Sequence, residues 1–394
     1  LIKVKNGTYT ESAITITSAS GSATTTHIVI VGETEDGVII QGGSTFALGK
    51  AVSLITTAPD AEDKLFFGVR NITFRYCKYA ILGNYLTPSI NGRGKMLIYN
   101  CHFKYCGFDG TESTAKIPSE QLTQVLSGTN WVSGGAIRIH DFKGITLSSV
   151  APSIDENYGV EIAYCNVEYN CRGIRVADSH YVKIHNNRSF NNMESGIYLA
   201  ARSNVVSNLI DDAYGCKHIE IYDNDVRYNN NNGILSICSI DVKVYNNNVE
   251  KNWNTGIQIA FSFNVNIREN TILYNNIKSF NGVGNLGDAR GGIGLIAADT
   301  GFTVNSADST SVTNSIAIIE NTIIGTHRGR LDRGIGIHID DNFDKQLKFT
   351  PTGGSSDVYK YLSIYGNTIN NNELGIDINS TAVTYDSSIH YYNI

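Results

Sequence analysis

Short runs in which apolar and polar residues alternate recur along the whole chain, and the three-to-four-residue period of an amphipathic helix is missing. The plainest marker is Gly-Ile, which opens GIRV at Gly173, GIYL at Gly196, GILS at Gly233, GIQI at Gly256, GIGL at Gly292, GIGI at Gly334 and GIDI at Gly375. From 173 to 196 and from 233 to 256 the step is 23 residues, and the longer steps read as this unit plus insertions. Ala136 (AIRI) and Ala80 (AILG) extend the series toward the N-terminus. Each unit contains a second alternating strand, as in MLIYNC from Met96, VEIAYC from Val160, VKIHNN from Val182, IEIYDN from Ile219 and VNIREN from Val265. A third, shorter one follows, as in NVEY at Asn166, DVRY at Asp225 and NVEK at Asn248. Ile and Val occupy the inward positions, as a strand with one packed face requires.

Three short strands per unit predict an all-β fold: a single-stranded parallel β-helix of about ten coils, stacked about 4.8 Å apart. One domain is expected over 1–394, with insertions at 104–134, 141–158, 204–216, 276–291, 299–315, 326–333 and 340–360. The turn after the second strand repeats Cys101, Cys165, Asn187, Asn224, Asn247, Asn270, Asn321 and Asn367 at one position. Stacked Asn side chains satisfy turn backbone that would otherwise lack partners, so a buried ladder is expected, with the two cysteines as small residues continuing it.

Composition sharpens this picture. With 31 Lys+Arg against 37 Asp+Glu the net charge is −6, which argues against nucleic acid or an anionic membrane as partner. No apolar run approaches the roughly 18 residues of a membrane span. Leu1 opens directly on the strand-like run LIKV, which reads as a mature or trimmed end. The 7 cysteines cannot all pair within one chain and no CxxC is present, so neither a zinc site nor a disulfide framework is expected, though a bridge between adjacent coils at Cys101 and Cys165 is geometrically open.

The repeat, the Asn column and the opening NGTYTESAITIT…HIVIVGETEDGVIIQGG resemble the right-handed parallel β-helix proteins of the pectate-lyase-like superfamily. The opening is most similar to the alginate lyase and chondroitin lyase branch. That resemblance implies a secreted, cell-surface or periplasmic protein acting on a carbohydrate polymer, an acidic one in this branch. The branch's catalytic Lys and Arg and its calcium-binding Asn/Glu group have no matching motif here. The paired aspartates and Gly-His-Gly of the polygalacturonase branch are also missing.

The insertions flank both ends of the Gly-Ile strand, which predicts a groove along its outer face. Outward positions on that strand read Arg138, Arg175, Tyr198, Leu235, Gln258, Gly294, Gly336, Asp377, and beside them His140, Ala177, Ala200, Ile237, Ala260, Ile296, His338, Asn379. Two guanidinium groups about 5 Å apart repel unless an anion lies across them, and Arg holds carboxylates bidentately. A uronate there would have its carboxylate neutralised by Arg138 and Arg175, with His140 and Tyr198 as the base and acid of β-elimination. Arg202, Trp131, Gln258 and His338 are candidate substrate contacts. The alternative is an exposed ion network with Asp141 and Asp178.

A second cluster, RGRLDRGIGIHIDDN, carries Asp332, Asp340 and Asp341. These could serve a glycoside hydrolase, hold Ca²⁺, or be ordinary turn residues. No cofactor is otherwise required. A third function class, a non-catalytic glycan-binding or adhesin helix, would use the column His185, Tyr222, Tyr245, Arg268, Tyr365. A C5 epimerase would share the lyase's first step.

Overall fold

The computed structural model describes residues 1–11, 13–16, 25–34, 36–43, 53–57, 64–83, 94–107, 134–142, 159–200, 209–211, 215–260, 262–276, 291–296, 303–305, 315–326, 334–339, 361–372 and 374–378. Leu1–Tyr198 and Leu199–Ile394 are two compact units, and each is built in the same way. In the first, a coil runs through three short strands, for example Val160–Ala163, Asn166–Glu168 and Ile174–Ala177. Each strand pairs in parallel with its counterpart one coil away: Val160 with Val182, Asn166 with Arg188, Ile137 with Ile174. In the second, Ser239–Tyr245, Asn248–Glu250 and Ile257–Ala260 do the same, pairing Val242 with Val265, Asn248 with Thr271 and Ile257 with Ile293. The described strands form six coils in the first unit and five in the second, close to the number expected. Three parallel stacks wound from one chain are a parallel β-helix. Among the described residues there is no helix long and apolar enough to cross a membrane.

The alternation read in the sequence is the packing. Along Gly94–Tyr99 every second side chain is buried, and Phe74 and Phe103 stack inside neighbouring coils with ring centroids 5.3 Å apart. From Lys64–Arg70 onward, a tight corner follows each described strand of the first sheet, made by one residue in the left-handed region, for example Tyr164 at φ 56, Asn186 at 53, Asp223 at 54 and Asn246 at 55. The corner swings the next amide away from the sheet, and the Asn column meets it. Cys165 N donates to Asn187 Oδ1 at 2.9 Å, Asn224 N to Asn247 Oδ1 at 3.0 Å, and Asn247 N to Asn270 Oδ1 at 3.0 Å. Asn187, Asn224, Asn247 and Asn270 are all buried, as the column predicts. The Cys165 thiol copies the Asn amide, donating to Ile98 O as Asn187 Nδ2 donates to Ile162 O. A second ladder that sequence reading missed caps the corner after the short strand: Asn170 and Asn192 in the first unit, Asn229, Asn252 and Asn275 in the second. Serines serve the third corner, where Phe142 N donates to Ser179 Oγ and Ser239 N to Ser262 Oγ.

Close approach explains the Gly-Ile marker. A Cβ on Gly173 would lie 2.3 Å from the Gly196 carbonyl oxygen, and one on Gly336 would lie 2.6 Å from that of Gly375. The register corrects one expected column. Ile293 pairs with Ile337 and Gly294 with His338, so Gly336 and not Gly334 holds the repeat position. His338 therefore lies level with Gly294 and Asp377, not with Ile296 and Asn379. A two-residue slip in GIGIHI keeps every apolar side chain on the inner face, so the hydrophobic pattern is blind to it. Of the insertions, 108–133, 143–158, 201–208, 277–290 and 341–360 lie outside the described residues. Within the second unit, Leu209–Asp211 and Thr303–Asn305 form a parallel pair that joins two of them.

Candidate functional site

In the first unit the third sheet carries the residues of interest on strands Tyr79–Gly83, Gly135–His140 and Ile174–Ala177. Ile137 and Ile139 point inward, which turns Arg138 outward between them. Arg138 pairs in register with Leu82 on one side and Arg175 on the other, so the two guanidinium stems stand on adjacent strands as the offsets predict. Tyr198 reaches the same cluster: the Arg175 guanidinium carbon lies 5.1 Å from its ring centroid. This is cation–π contact range.

Arg138 Nε donates to His140 Nε2 at 2.7 Å and Arg138 Nη1 to Tyr79 Oη at 2.9 Å. Its guanidinium also covers the Tyr79 ring at 5.6 Å. A guanidinium can only donate, so His140 Nε2 is the acceptor in this contact. His140 itself is 3 % exposed. The lone pair a base would use is thus engaged by Arg138 in the free protein.

Arg172 and Arg175 stand three residues apart in opposite environments. Arg172 Nε meets Glu194 Oε2 at 2.7 Å. Burial alone would lower the Arg172 pKa, but the Glu194 carboxylate raises it above the ordinary arginine value. Arg175 shifts down, chiefly through burial, with Arg138 and Arg172 adding repulsion that Tyr198 only partly offsets. Its Nε is buried without a hydrogen-bond partner among the described residues. Neither Arg138 nor Arg175 forms an ion pair among the described residues. Asp141 and Asp178, the expected partners of the ion network, are buried corner residues with φ of 64 and 47. The network is therefore not what holds these arginines.

Arg172, Glu194 and Tyr79 complete the cluster and were not picked out from the sequence. The available signal was their offset: Tyr79 precedes Ala80 and Arg172 precedes Gly173, with Gly135 level with Tyr79 between those coils. In the second unit Gln258 lies half-buried level with Gly294, and buried His338 Nδ1 lies 3.2 Å from Asp377 Oδ2. Trp131, Arg202, Asp332, Asp340 and Asp341 lie outside the described residues, and the hydrolase carboxylates and Ca²⁺ ligands considered above lie there with them. Among the described residues no cluster of three His, Cys, Asp or Glu is arranged to hold a metal. Trp253 is buried, Lys243 pairs with Glu220 at 3.0 Å across neighbouring coils, and Glu161 meets His185 at 2.9 Å. Of the aromatic column, Tyr222 and Tyr245 stack at 4.9 Å and Arg268 covers Tyr245 at 4.6 Å.

Residues 66–217 match the family model described as a right handed beta helix region. The chain is a right-handed parallel β-helix. No curated protein matches it in sequence. Among solved structures it is similar to the A-module of the mannuronan C-5 epimerase AlgE6 of Azotobacter vinelandii, at 13% identity over 96% of this chain and 87% of that one, with a TM-score of 0.49. The A-module of AlgE4 from the same organism gives 13% identity over 96% of this chain and 89% of that one, also at 0.49. So little shared sequence carries no residue role from one β-helix to another.

Proposed function

We propose that this β-helix is a carbohydrate-active enzyme of the extracellular or periplasmic space, and that it removes the C5 proton of a uronate residue in an acidic polysaccharide. The observation that carries the reading is the in-register Arg138–Arg175 pair, half-buried and without a carboxylate partner among the described residues. A uronate carboxylate supplies the missing charge and accepts from the unpartnered Arg175 Nε. Drawing Arg138 toward that carboxylate also releases His140 Nε2, so binding of the correct group exposes the base. Neutralising the carboxylate makes the C5–H bond acidic. His140 Nε2 takes the proton, and the electron pair delocalises into the carboxylate. In β-elimination the pair then forms the C4–C5 double bond as the C4–O bond breaks, and Tyr198 gives its proton to the departing oxygen. Solvent returns the proton from His140 to Tyr198. We favour this lyase outcome; returning a proton to C5 from the opposite face would be epimerisation by the same first step.

Incubating the chain with a panel of uronate polysaccharides in D₂O reads both outcomes, as deuterium at C5 by NMR and as ultraviolet absorbance of the unsaturated product. Arg175→Ala is expected to weaken binding and to lower kcat/KM about 10²–10³-fold. His140→Ala and Tyr198→Phe should lower kcat by about 10²–10⁴-fold with binding nearly intact. Absence of C5 exchange on every uronate polymer, or full activity in Arg175→Ala, rejects the site.

A further inference from the structure

Cys77 and Cys106 occupy equivalent places on neighbouring coils of the first unit. Arg75 and Lys104 are paired in register, Tyr76 and Tyr105 make the same left-handed corner at φ 52 and 57, and a cysteine follows each. Gly107 N donates to Cys77 O at 2.7 Å, which fixes the two coils against one another at this corner. The two Sγ atoms are 3.3 Å apart, and both residues are buried. Backbones one coil apart stand about 4.8 Å from each other, inside the Cα window of about 4.4–6.8 Å for a disulfide. Cys106 Sγ also lies within reach of the Phe74 and Lys104 carbonyl oxygens, as Cys101 and Cys165 lie near Val69 O and Ile98 O and Cys216 near Ala200 O; what sets the Cys77–Cys106 pair apart is a second sulfur at 3.3 Å.

We propose that Cys77 and Cys106 are joined as a coil-to-coil disulfide when the chain folds under oxidising conditions. A small-molecule or enzyme disulfide is the oxidant. One cysteine thiolate attacks it, releasing one thiolate and leaving a mixed disulfide; the second cysteine thiolate attacks the protein sulfur of that bond and releases the other. Two protons and two electrons leave the protein, and the oxidant becomes two thiols. In the folded coil stack burial keeps the Cys77 thiol protonated, its pKa pushed well up, so the reaction belongs to the stage before the coils close. The bridge spans 29 residues, one complete coil, and ties the coil that carries Tyr79 to the one beside it.

The full chain is refolded from denaturant in a glutathione redox buffer, denatured again, alkylated and digested without reductant. The expected peptide map contains one linked pair joining Cys77 to Cys106, with the remaining cysteines alkylated. The thermal midpoint of this material should fall on adding reductant, and the Cys77→Ser/Cys106→Ser variant should lose that response while Cys101→Ser keeps it. Alkylation of both Cys77 and Cys106, or a link from Cys106 to Cys171, overturns the proposal. The wild-type map decides the matter even where a serine variant does not fold.

Discussion

Removing one rung of the Asn ladder tests how the corners are held, and Asn247→Ala is the sharpest choice. Asn247 is 1 % exposed. Its Oδ1 accepts from Asn224 N and Asn224 Nδ2, both at 3.0 Å, and its Nδ2 donates to Ile221 O at 2.9 Å, Tyr245 O at 3.0 Å and Asn270 Oδ1 at 2.9 Å. The substitution deletes these bonds but leaves the Asn224 amide and the two carbonyls in place, out of reach of bulk water. At about 1 kcal/mol net for each bond, and about 1–3 kcal/mol for a buried donor left unmet, the loss should be about 3–5 kcal/mol. Asn247→Asp should cost more, because its second oxygen would face three acceptors where the Nδ2 now donates. Asn248→Ala is the control: among the described residues its Nδ2 contacts only Asp225 Oδ1, at 3.2 Å in a partly wet position, so it should cost less than about 1 kcal/mol. Urea unfolding followed by circular dichroism gives the stabilities, and hydrogen exchange at the Asn224 amide gives the local effect. A loss for Asn247→Ala no larger than that for Asn248→Ala, with Asn224 protection unchanged, would refute the ladder as the element that holds the corner.

Two further outcomes follow from the same coordinates. The His185 pKa should lie above 6.5, since burial alone would lower it but hydrogen bonds to Glu161 and Asn186 raise it; the associated stability is present below that value and lost as pH rises through the folded-state pKa. An NMR titration midpoint at or below 6.5, or one that Glu161→Gln does not lower, would contradict this. Gly256→Ala should cost about 1–3 kcal/mol, because its Cβ would meet Gly292 O and Ile272 Cγ2 at 2.8 Å, whereas Gly375→Ala has nothing within 4 Å and should be neutral or stabilising by up to about 1 kcal/mol. Equal melting shifts for the two glycine variants would undo the close-approach account of the Gly-Ile marker.

The fold was legible because one steric requirement recurs at one place in each coil from Gly173 onward, with Ala136 and Ala80 holding the same place before it. A glycine carrying no Cβ at the start of the third-sheet strand, followed by inward Ile, sets a phase that the remaining strands then follow. The same phase places Arg138, Arg175 and Tyr198 at one offset in successive coils. What stayed hidden has specific causes. The second ladder was masked because its Asn170 and Asn192 follow residues as unlike as Tyr169 and Asn191, both of which fit the left-handed corner. His338 was misplaced by a slip that preserves parity. Glu194 was missed because its role depends on reach: it lies ahead of the Gly196 strand start, and only the pairing across a coil shows it meeting Arg172. Cys77 and Cys106 share an offset, but the sequence offered no reason to prefer them over Cys101 and Cys165; the thiols of Cys106, Cys101 and Cys165 all lie near the carbonyl two residues back, and only the 3.3 Å approach of the Cys77 and Cys106 sulfurs separates the pairs.

The contrast between Arg172 and Arg175 bears most directly on function. Both are half-buried on the same stretch of chain, and burial disfavours the charged form of each. For Arg172 the Glu194 carboxylate more than offsets that penalty. For Arg175 it stands, increased by Arg138 across the sheet, with an aromatic face as the main counterweight. A guanidinium kept in that state destabilises the folded chain, and the two aspartates that could have relieved it are committed to corners. If the pair were merely structural, Arg175→Met would keep the stem's packing on Tyr198, remove the repulsion and raise stability with no other consequence. If Arg175 holds a uronate, the same variant should gain stability and lose binding of the acidic polymer together. A gain in melting temperature with unchanged polysaccharide binding would leave Arg175 without a function, and only the paired change supports an anion site.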